Sequence, residues 1–406
     1  MKILDSLLAA TRLTKTPLRT GQFDSNQITH AIHRALASAG LDTQSGPLKS
    51  VTDTIQQALS AAGLHDPAAA PSRRGVTIEG TARDISAEPD RVADALIGTS
   101  SSNHQAGLGE FLSRSFTNHA GTRAYKLYVP ASYWDKLDER LPMVVMLHGC
   151  TQSPDDFAAG TQMNSLAEQH GFMVVYPAQC ANANGAKCWN WFRSEDQSRE
   201  SGEPALIAGI TREVAASYRI DERRIFVAGM SAGAAMAVVL GATYPELYAA
   251  VGAHSGLPYG AAHNMASAFG AMQGSAGRVS RRNLDPQSSA RGTEAAQGVS
   301  TIIFHGDGDR TVDARNAAAI VEQATAACSG LSATTQNGVA SGGRAYTRTV
   351  YADAANRPVV EHWLLHGAGH AWSGGSASGS FTDASGPDAS AEMIRFFFAQ
   401  QRCGTA

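Results

Sequence analysis

The sequence GMSAG at residues 229–233 is the feature that most constrains what this chain can fold into. It follows RIFVA at residues 224–228, a β-branched and apolar run that predicts a buried strand. It precedes AAMAVVL at residues 234–240, which predicts a helix. A serine between two glycines at such a strand-to-helix turn is typical of an exposed nucleophile. A Cβ at Gly229 or Gly233 would strike neighbouring backbone, so we expect Ser231 to stand above the sheet at the positive end of the helix.

These five letters can also arise by chance in a chain with 40 glycines, so their meaning depends on partners elsewhere. A serine becomes a nucleophile when a histidine takes its proton and an acid orients that histidine. At a turn of this kind the partners follow in the order serine, acid, histidine. The acid and the base are therefore expected after residue 233.

Two aspartates follow the predicted strand at residues 301–304, which opens into HGDGD at 305–309. A carboxylate just past a strand end can reach the edge of the sheet where the serine is expected. We predict Asp309 as the acid, because its longer offset lets the turn bring the carboxylate back toward the histidine. Asp307 is then expected to form the turn by bonding local backbone.

His370 is the predicted base, in a glycine-rich loop after the predicted strand at residues 359–365. Its small neighbours let this loop fold over Ser231. His366 lies close to the strand end and is expected to be structural. His254 is the rival base, but it precedes the acid in the chain and so breaks the expected order.

An acyl-transfer site also needs two backbone N–H groups to stabilise the oxyanion of its tetrahedral intermediate. We predict that Ala232, the residue after the nucleophile, supplies one. The apolar strand at residues 142–147 ends in HGCTQ at 148–152, and we predict that the Cys150 N–H supplies the other. A catalytic role for the Cys150 thiol is rejected because Ser231 already occupies the turn, which leaves a structural role.

The segment CWNWF at residues 188–192 places three aromatic residues within five positions. Core packing accounts for one or two of them. The alternative is an apolar wall for an ester chain, and on that interpretation we expect Trp189 and Trp191 to contact substrate. We also expect substrate contacts from Tyr259 and Trp372.

Charge, length and cysteine spacing exclude several classes of function. The formal net charge is -3, so no strong field favours nucleic acid or an acidic membrane surface. No apolar run reaches the length of a membrane span, and Asp5 interrupts the apolar core that a signal peptide needs, so we expect a cytoplasmic protein. The five cysteines lack zinc-site spacing, so we expect no structural metal and no other cofactor. Their odd number leaves at least one thiol free or paired outside the chain.

The chain divides into two predicted regions. Residues 1–105 include three amphipathic segments and a linker, and we expect a helical region that docks on the main domain or binds a hydrophobic partner. Residues 106–406 begin with a hairpin at 111–129 and continue with apolar strands that alternate with helices, such as those at 160–170 and 206–218. This alternation predicts an α/β fold with a mostly parallel central sheet and helices on both faces. Residues 257–298 lack a clear period and predict an excursion near the mouth of the site.

Seven segments together resemble the poly(3-hydroxybutyrate) depolymerase family of esterases, which has the α/β-hydrolase fold. They are LHGCTQ at 147–152, YPAQ at 176–179, CWNWF at 188–192, GMSAG at 229–233, SGLPYG at 255–260, HGDGD at 305–309 and GHAWSGG at 369–375. The resemblance runs from about residue 110 to the C-terminus and is specific as a set. It implies Ser231 as nucleophile, Asp309 as acid and His370 as base. It also implies that Cys150 lies close to Cys188.

The chain departs from the family pattern at its ends. Secreted depolymerases of this family usually have a signal peptide and a C-terminal polymer-binding module, and neither is recognisable in this sequence. A helical N-terminal region is expected instead. Amorphous polymer, its oligomers or another ester therefore fit the resemblance as well as crystalline polymer does.

The resemblance implies a serine carboxylester hydrolase that cleaves polyhydroxyalkanoate or related aliphatic polyesters through an acyl-enzyme. The family also resembles feruloyl and acetylxylan esterases, which share the same turn, so an esterase for those groups is the alternative. A third hypothesis is a polymer-granule binding protein whose hydrolase domain is only a scaffold. The complete set of Ser231, Asp309 and His370 argues against that hypothesis.

Overall fold

The computed structural model of the chain describes residues 109–135, 138–275, 298–326 and 328–402. The helical region predicted for residues 1–105 lies outside the described residues, as does the part of the predicted excursion after residue 275. The division at residue 105 and the role of the helical region therefore stay predictions.

Ten strands form the central sheet. They are β1 (Glu110–Asn118), β2 (Gly121–Val129), β3 (Leu141–Leu147), β4 (Met173–Pro177), β5 (Ile220–Met230), β6 (Ala250–His254), β7 (Ser300–Gly306), β8 (Ser332–Val339), β9 (Ala345–Ala352) and β10 (Pro358–Leu365). Their order across the sheet is β1-β2-β4-β3-β5-β6-β7-β10-β9-β8. The strands from β4 to β10 in that order run parallel, and the hairpins β1–β2 and β8–β9 form antiparallel edges. The prediction of a mostly parallel sheet is confirmed.

Helices cover both faces of this sheet. Those in the described residues are α1 (Ser132–Asp135), α2 (Pro154–Thr161), α3 (Met163–His170), α4 (Gly202–Ser217), α5 (Ala232–Thr243), α6 (Met265–Gly270), α7 (Arg315–Ala326) and α8 (Ala389–Phe398). The single helix predicted at residues 160–170 is wrong in one respect. Two helices, α2 and α3, meet at Gln162, whose left-handed backbone (φ 55°) ends one helix and begins the next.

Strand β3 shows how the sheet separates two hydrophobic layers. All of its residues are buried, as is typical of a parallel strand covered on both faces. Met143 and Val145 pack with residues of α4 and α5, whereas Val144 and Met146 pack with residues of α2, α3 and α8. This division follows from the alternation of side chains along a strand. The continuous apolar run in the sequence is therefore the signature of a strand buried on both sides.

The β8–β9 hairpin extends the sheet beyond the last parallel strand, and sequence patterns do not predict it. The residues of β8 are SATTQNGV, and nearly all of them are exposed. Without an apolar alternation, such a strand has no local signal for its pairing. Its partner β9 is anchored to β10, where Arg348 pairs with the buried Glu361 at 3.0 Å.

The parallel strands end at one edge of the sheet, and this edge gathers the loops that matter for function. The loops after β3, β5, β7 and β10 contain Cys150, Ser231, Asp309 and His370 respectively. In open sheets of this kind, ligand sites lie outside the carboxyl ends of the strands.

Candidate active site

Ser231 lies at a strained turn between β5 and α5. Its backbone has φ 56° and ψ -120°, a conformation that costs a non-glycine residue on the order of 1–3 kcal/mol. The Ser231 N–H donates to His254 O at 2.9 Å, and the Ser231 carbonyl accepts the N–H of Ala235 at 3.0 Å. The turn predicted from the sequence is therefore present, with its serine as the strained residue.

The two glycines of the turn are required by close backbone contacts. A Cβ at Gly229 would lie 2.5 Å from the carbonyl of Gly233 and 2.7 Å from Leu147 O. A Cβ at Gly233 would overlap Leu147 O outright. Helix α5 can approach strand β3 this closely only because neither position has a side chain.

Asp309 is buried in the loop after β7 and contacts His370 directly. Its Oδ2 lies 2.7 Å from His370 Nδ1, and its Oδ1 accepts the N–H groups of Thr311 at 2.8 Å and Val312 at 2.9 Å. Burial alone would raise the pKa of Asp309. The hydrogen bond and charge of His370, with the two backbone donors, hold that pKa below its ordinary value. A carboxylate fixed in this way can orient an imidazole ring.

Asp307 forms a second pair, with His366. Its Oδ2 lies 2.9 Å from His366 Nδ1, and its Oδ1 accepts the Gly367 N–H at 2.6 Å. Both partners follow β10, far along the chain. The prediction that Asp307 bonds its own local backbone is therefore wrong, because its carboxylate instead joins the loop after β7 to the loop after β10. The structure thus brings Asp309, and not Asp307, to His370.

His254, the rival base, is fully buried and its ring is engaged on all sides. Its Nε2 accepts the Ser373 N–H at 3.0 Å, and the ring stacks between Phe304 and Trp372. Burial lowers the pKa of His254 to about 3. A ring nitrogen that already accepts a backbone N–H cannot take a proton from Ser231. His254 instead supports the turn through its carbonyl, which accepts the Ser231 N–H.

The loop after β3 lies beside Ser231 and presents a free backbone donor. A Cβ at Gly149 would lie 3.7 Å from Ser231 Cβ. The N–H of Gly149 donates to Gln152 Oε1 at 2.9 Å, and the N–H of Thr151 donates to Ala186 O at 2.7 Å. Within the described residues, the N–H groups of Cys150 and Ala232 donate to no acceptor. These are the two amides predicted to stabilise the oxyanion.

Gln152 fixes that loop, and sequence reasoning missed its role. Its Nε2 donates to Asp156 Oδ2 at 2.9 Å and to Ser380 O at 3.2 Å. Burial would raise the pKa of Asp156, but hydrogen bonds from Ser380 and Gln152 outweigh this effect and lower the pKa below its ordinary value. The carboxylate is therefore ionised. Ser380 is 228 positions from Gln152, and no local pattern could have revealed the contact.

A disulfide ties the same loop to residue 188, and a buried carboxylate holds the segment around that residue. Cys150 is bonded to Cys188, as the family resemblance implies. Glu203, at the start of α4, accepts the N–H of Asn190 at 2.7 Å and the side-chain amide of Gln179. Glu203 was not predicted to have a role. It follows a glycine at the start of a helix, and this local pattern does not indicate a distant partner. Disulfides persist mainly in oxidising compartments, so this bond does not favour the expected cytoplasmic location. That location stays a prediction.

The four aromatic residues predicted to contact substrate occupy different environments. Trp189 is 0% exposed with its Nε1 donating to His148 O, and Trp372 is 1% exposed with its Nε1 donating to Ser390 Oγ. Both support the loops from inside, so the prediction that they contact substrate is wrong. Trp191 is 5% exposed, and Tyr259 is half-buried with its hydroxyl donating to Gln197 O. Only these two remain candidates for substrate contact.

Two further properties of the described residues bear on function. No group of three or more His, Cys, Asp or Glu side chains among them is arranged to hold a metal ion. None of their helices combines the length and apolar character that crossing a membrane requires.

Comparisons with known proteins agree with this geometry. Residues 123–345 match the family described as Esterase PHB depolymerase. Poly(3-hydroxyalkanoate) depolymerase C of Paucimonas lemoignei is 35% identical over 262 residues, which is 63% of this chain and 59% of that protein. Feruloyl esterase B of Neurospora crassa is 33% identical over 153 residues, which is 37% of this chain and 50% of that protein. The chain thus spans between half and three fifths of the length of these relatives.

A solved structure supports the fold. An acetyl xylan esterase from Aspergillus awamori superposes with a TM-score of 0.53 at 20% identity, over 72% of this chain and 100% of that one. At this identity the likeness concerns the fold alone, and it confirms the predicted α/β-hydrolase fold. Since the family match covers more than half of the chain and includes Ser231 and Asp309, this chain belongs to the esterase PHB depolymerase family.

Proposed function

We propose that the chain is a serine carboxylester hydrolase that cleaves polyhydroxyalkanoate, such as poly(3-hydroxybutyrate), or related aliphatic polyesters and their oligomers. The observation that most supports it is the 2.7 Å contact between buried Asp309 and His370, together with the strained turn that holds Ser231. The choice of polyester is supported by the 35% identity to a poly(3-hydroxyalkanoate) depolymerase.

The proposed reaction begins with attack of Ser231 Oγ on the ester carbonyl. His370 Nε2 takes the serine proton while Asp309 holds the proton on Nδ1 and stabilises the imidazolium. The N–H groups of Cys150 and Ala232 donate to the oxyanion. The carbon–oxygen bond to the alcohol then breaks, and the alcohol leaves with the proton from His370.

The acyl-enzyme is then hydrolysed by the same groups. His370 removes a proton from water, the resulting hydroxide attacks the acyl carbonyl, and a second oxyanion forms at the same two amides. Collapse of this intermediate releases the carboxylic acid and returns the proton to Ser231. Two additional residues, Trp191 and Tyr259, are the proposed substrate contacts among the aromatic side chains.

The alternative is a feruloyl or acetylxylan-type esterase. Its support is the 33% identity to feruloyl esterase B, which extends over a shorter stretch of this chain than the depolymerase match does. The same nucleophile, acid and base would serve either substrate, so the choice depends on what the rim of the site accommodates.

The test compares kcat/KM of the purified chain on amorphous polyhydroxybutyrate, p-nitrophenyl esters, feruloyl esters and acetylated xylan. We expect release of 3-hydroxybutyrate from the polymer. Ser231→Ala should lower turnover by about six decades while leaving the fold intact, since loss of the nucleophile in such a triad has that effect. Faster hydrolysis of feruloyl or acetyl esters than of polyester would favour the alternative, and near-normal turnover by folded Ser231→Ala would exclude the mechanism.

A further inference from the structure

Phe381 combines two properties that a side chain without a function would not be expected to combine. It is 49% exposed, and its backbone has φ 53°, in the left-handed region that disfavours bulky residues. An exposed phenylalanine contributes little to the core, so packing does not explain why the residue adopts a costly conformation. Strained residues of this kind cluster at sites of binding and catalysis.

The strain persists because the residues on both sides of Phe381 are fixed. Ser380 donates its N–H to Asp156 Oδ1 at 2.9 Å and its hydroxyl to Asp156 Oδ2 at 2.6 Å. Thr382 and Asp383 form strand β12 (Thr382–Asp383), which pairs in parallel with β11 (Trp372–Ser373). Asp383 also forms an ion pair with Arg344 at 2.9 Å. Phe381 is therefore presented on a rigid segment.

The same contacts place Phe381 between two parts of the active site. On one side, Ser380 O accepts from Gln152, whose Oε1 in turn holds the Gly149 N–H beside Ser231. On the other side, the Phe381 carbonyl accepts the Trp372 N–H at 2.7 Å, two residues after His370. The backbone of Phe381 therefore lies between a contact to the oxyanion loop and a contact to the segment that follows His370.

We propose that Phe381 is a specificity-determining residue that contacts the apolar chain of the substrate beyond the scissile ester. This inference rests on the proposed esterase function, and it names aliphatic ester chains as the class that Phe381 selects. Covering an exposed phenyl ring with such a chain removes apolar surface from water. The contact strengthens with chain length and is absent from the shortest esters, which do not reach the ring.

The test measures kcat/KM of Phe381→Ala on two series of soluble esters, one lengthened on the acyl side (p-nitrophenyl acetate to octanoate) and one on the alcohol side (ethyl to octyl acetate). We expect about a tenfold loss on the long members of at least one series, mainly through KM, and less than a twofold loss on the shortest members. An equal loss on all esters, or no loss on any, would overturn the proposal.

Matched variants separate the ring from the backbone. Phe381→Gly accommodates the left-handed conformation without strain and should show the same length-dependent loss, whereas Phe381→Tyr should retain the preference for long chains. Trp134→Ala removes another exposed aromatic, 40% exposed on α1 before β3 and so near the opposite edge of the sheet. It should leave both series unchanged, and a loss there equal to that of Phe381→Ala would mean non-specific adsorption and overturn the proposal.

The proposed function and this inference fail differently. Whether the wild-type chain releases 3-hydroxybutyrate from the polymer decides the polyester assignment. Whether the ratio of long-ester to short-ester kcat/KM falls in Phe381→Ala decides the role of Phe381. If the chain hydrolyses short esters but not polyester, the polyester assignment is refuted. The role of Phe381 can still be tested on the two series of soluble esters.

Discussion

Two aspartate–histidine pairs each join the loop after β7 to the loop after β10, and they differ in their exposure to water. The inner pair, Asp309–His370, has an oxygen–nitrogen distance of 2.7 Å, and the outer pair, Asp307–His366, has 2.9 Å. The side chains of the inner pair are 0% and 14% exposed, whereas those of the outer pair are 41% and 40% exposed. Hydrogen-bond distance alone therefore does not separate the two pairs, whereas the exposure of their side chains does.

The remaining contacts of the two carboxylates explain the difference. Asp309 uses its second oxygen to bind two N–H groups of its own turn, so it is held in place independently of the histidine. Asp307 uses its second oxygen to bind Gly367, in the loop that leads to His370. The outer pair thus connects the loop of the acid to the loop of the base, and the inner pair, shielded from water, interacts more strongly.

The largest effect is expected when each aspartate is replaced in turn by asparagine. Asp309→Asn should lower kcat by about four decades, because an amide cannot hold the histidine proton on Nδ1. Asp307→Asn should lower kcat by less than about tenfold, since it affects only the connection between the loops. Steady-state kinetics of both variants on one soluble ester would measure this. If Asp307→Asn were the inactive variant, the assignment of the two pairs would be reversed.

The inner pair illustrates what the sequence could predict. The strand end and the expected chain order placed the acid after β7, and the longer offset of Asp309 was the reason to prefer it over Asp307. All of these signals are local. The outer pair was beyond prediction, since the contact of Asp307 with His366 depends on how two distant loops meet. The aromatic residues show the same limit: the composition at 188–192 was evident, but only packing reveals that Trp189 faces the interior.

An effect of intermediate size extends the comparison to other buried histidines near the site. Burial lowers the pKa of His254 to about 3 and that of His148 to about 4. Both stay neutral in the folded chain, whereas unfolded histidines take protons below pH ~6.5. The unfolded chain then binds more protons, so the free energy of unfolding should fall below pH ~6.5, by up to about 1.4 kcal/mol per pH unit for each histidine.

One buried acid opposes this trend without reversing it. Burial and the charge of Glu203 raise the pKa of Asp196 to about 6, so folding favours its protonation from about pH 6 downward. Urea unfolding at pH 7.5 and 5.5 would measure the net effect, and we expect lower stability at pH 5.5. His254→Gln can keep an acceptor for the Ser373 N–H and should flatten the slope. Equal stability of the wild-type chain at both pH values would contradict the expectation.

The smallest expected effect concerns the stability that the outer pair provides. Exposed polar contacts typically contribute about 0–1 kcal/mol, so Asp307→Asn should lower the free energy of unfolding at pH 7 by less than about 1 kcal/mol. Burial would raise the pKa of Asp307, but hydrogen bonds from His366 and Gly367 together hold it below its ordinary value. The contribution is therefore present above the unfolded pKa of ~3.9 and is lost as pH falls through the lower folded pKa. Urea unfolding of both proteins at pH 7, in low and in ~1 M salt, should show a small difference that screening reduces. A difference of several kcal/mol that salt does not change would mean that the outer pair is as deeply integrated as the inner one, and that exposure is not what separates them.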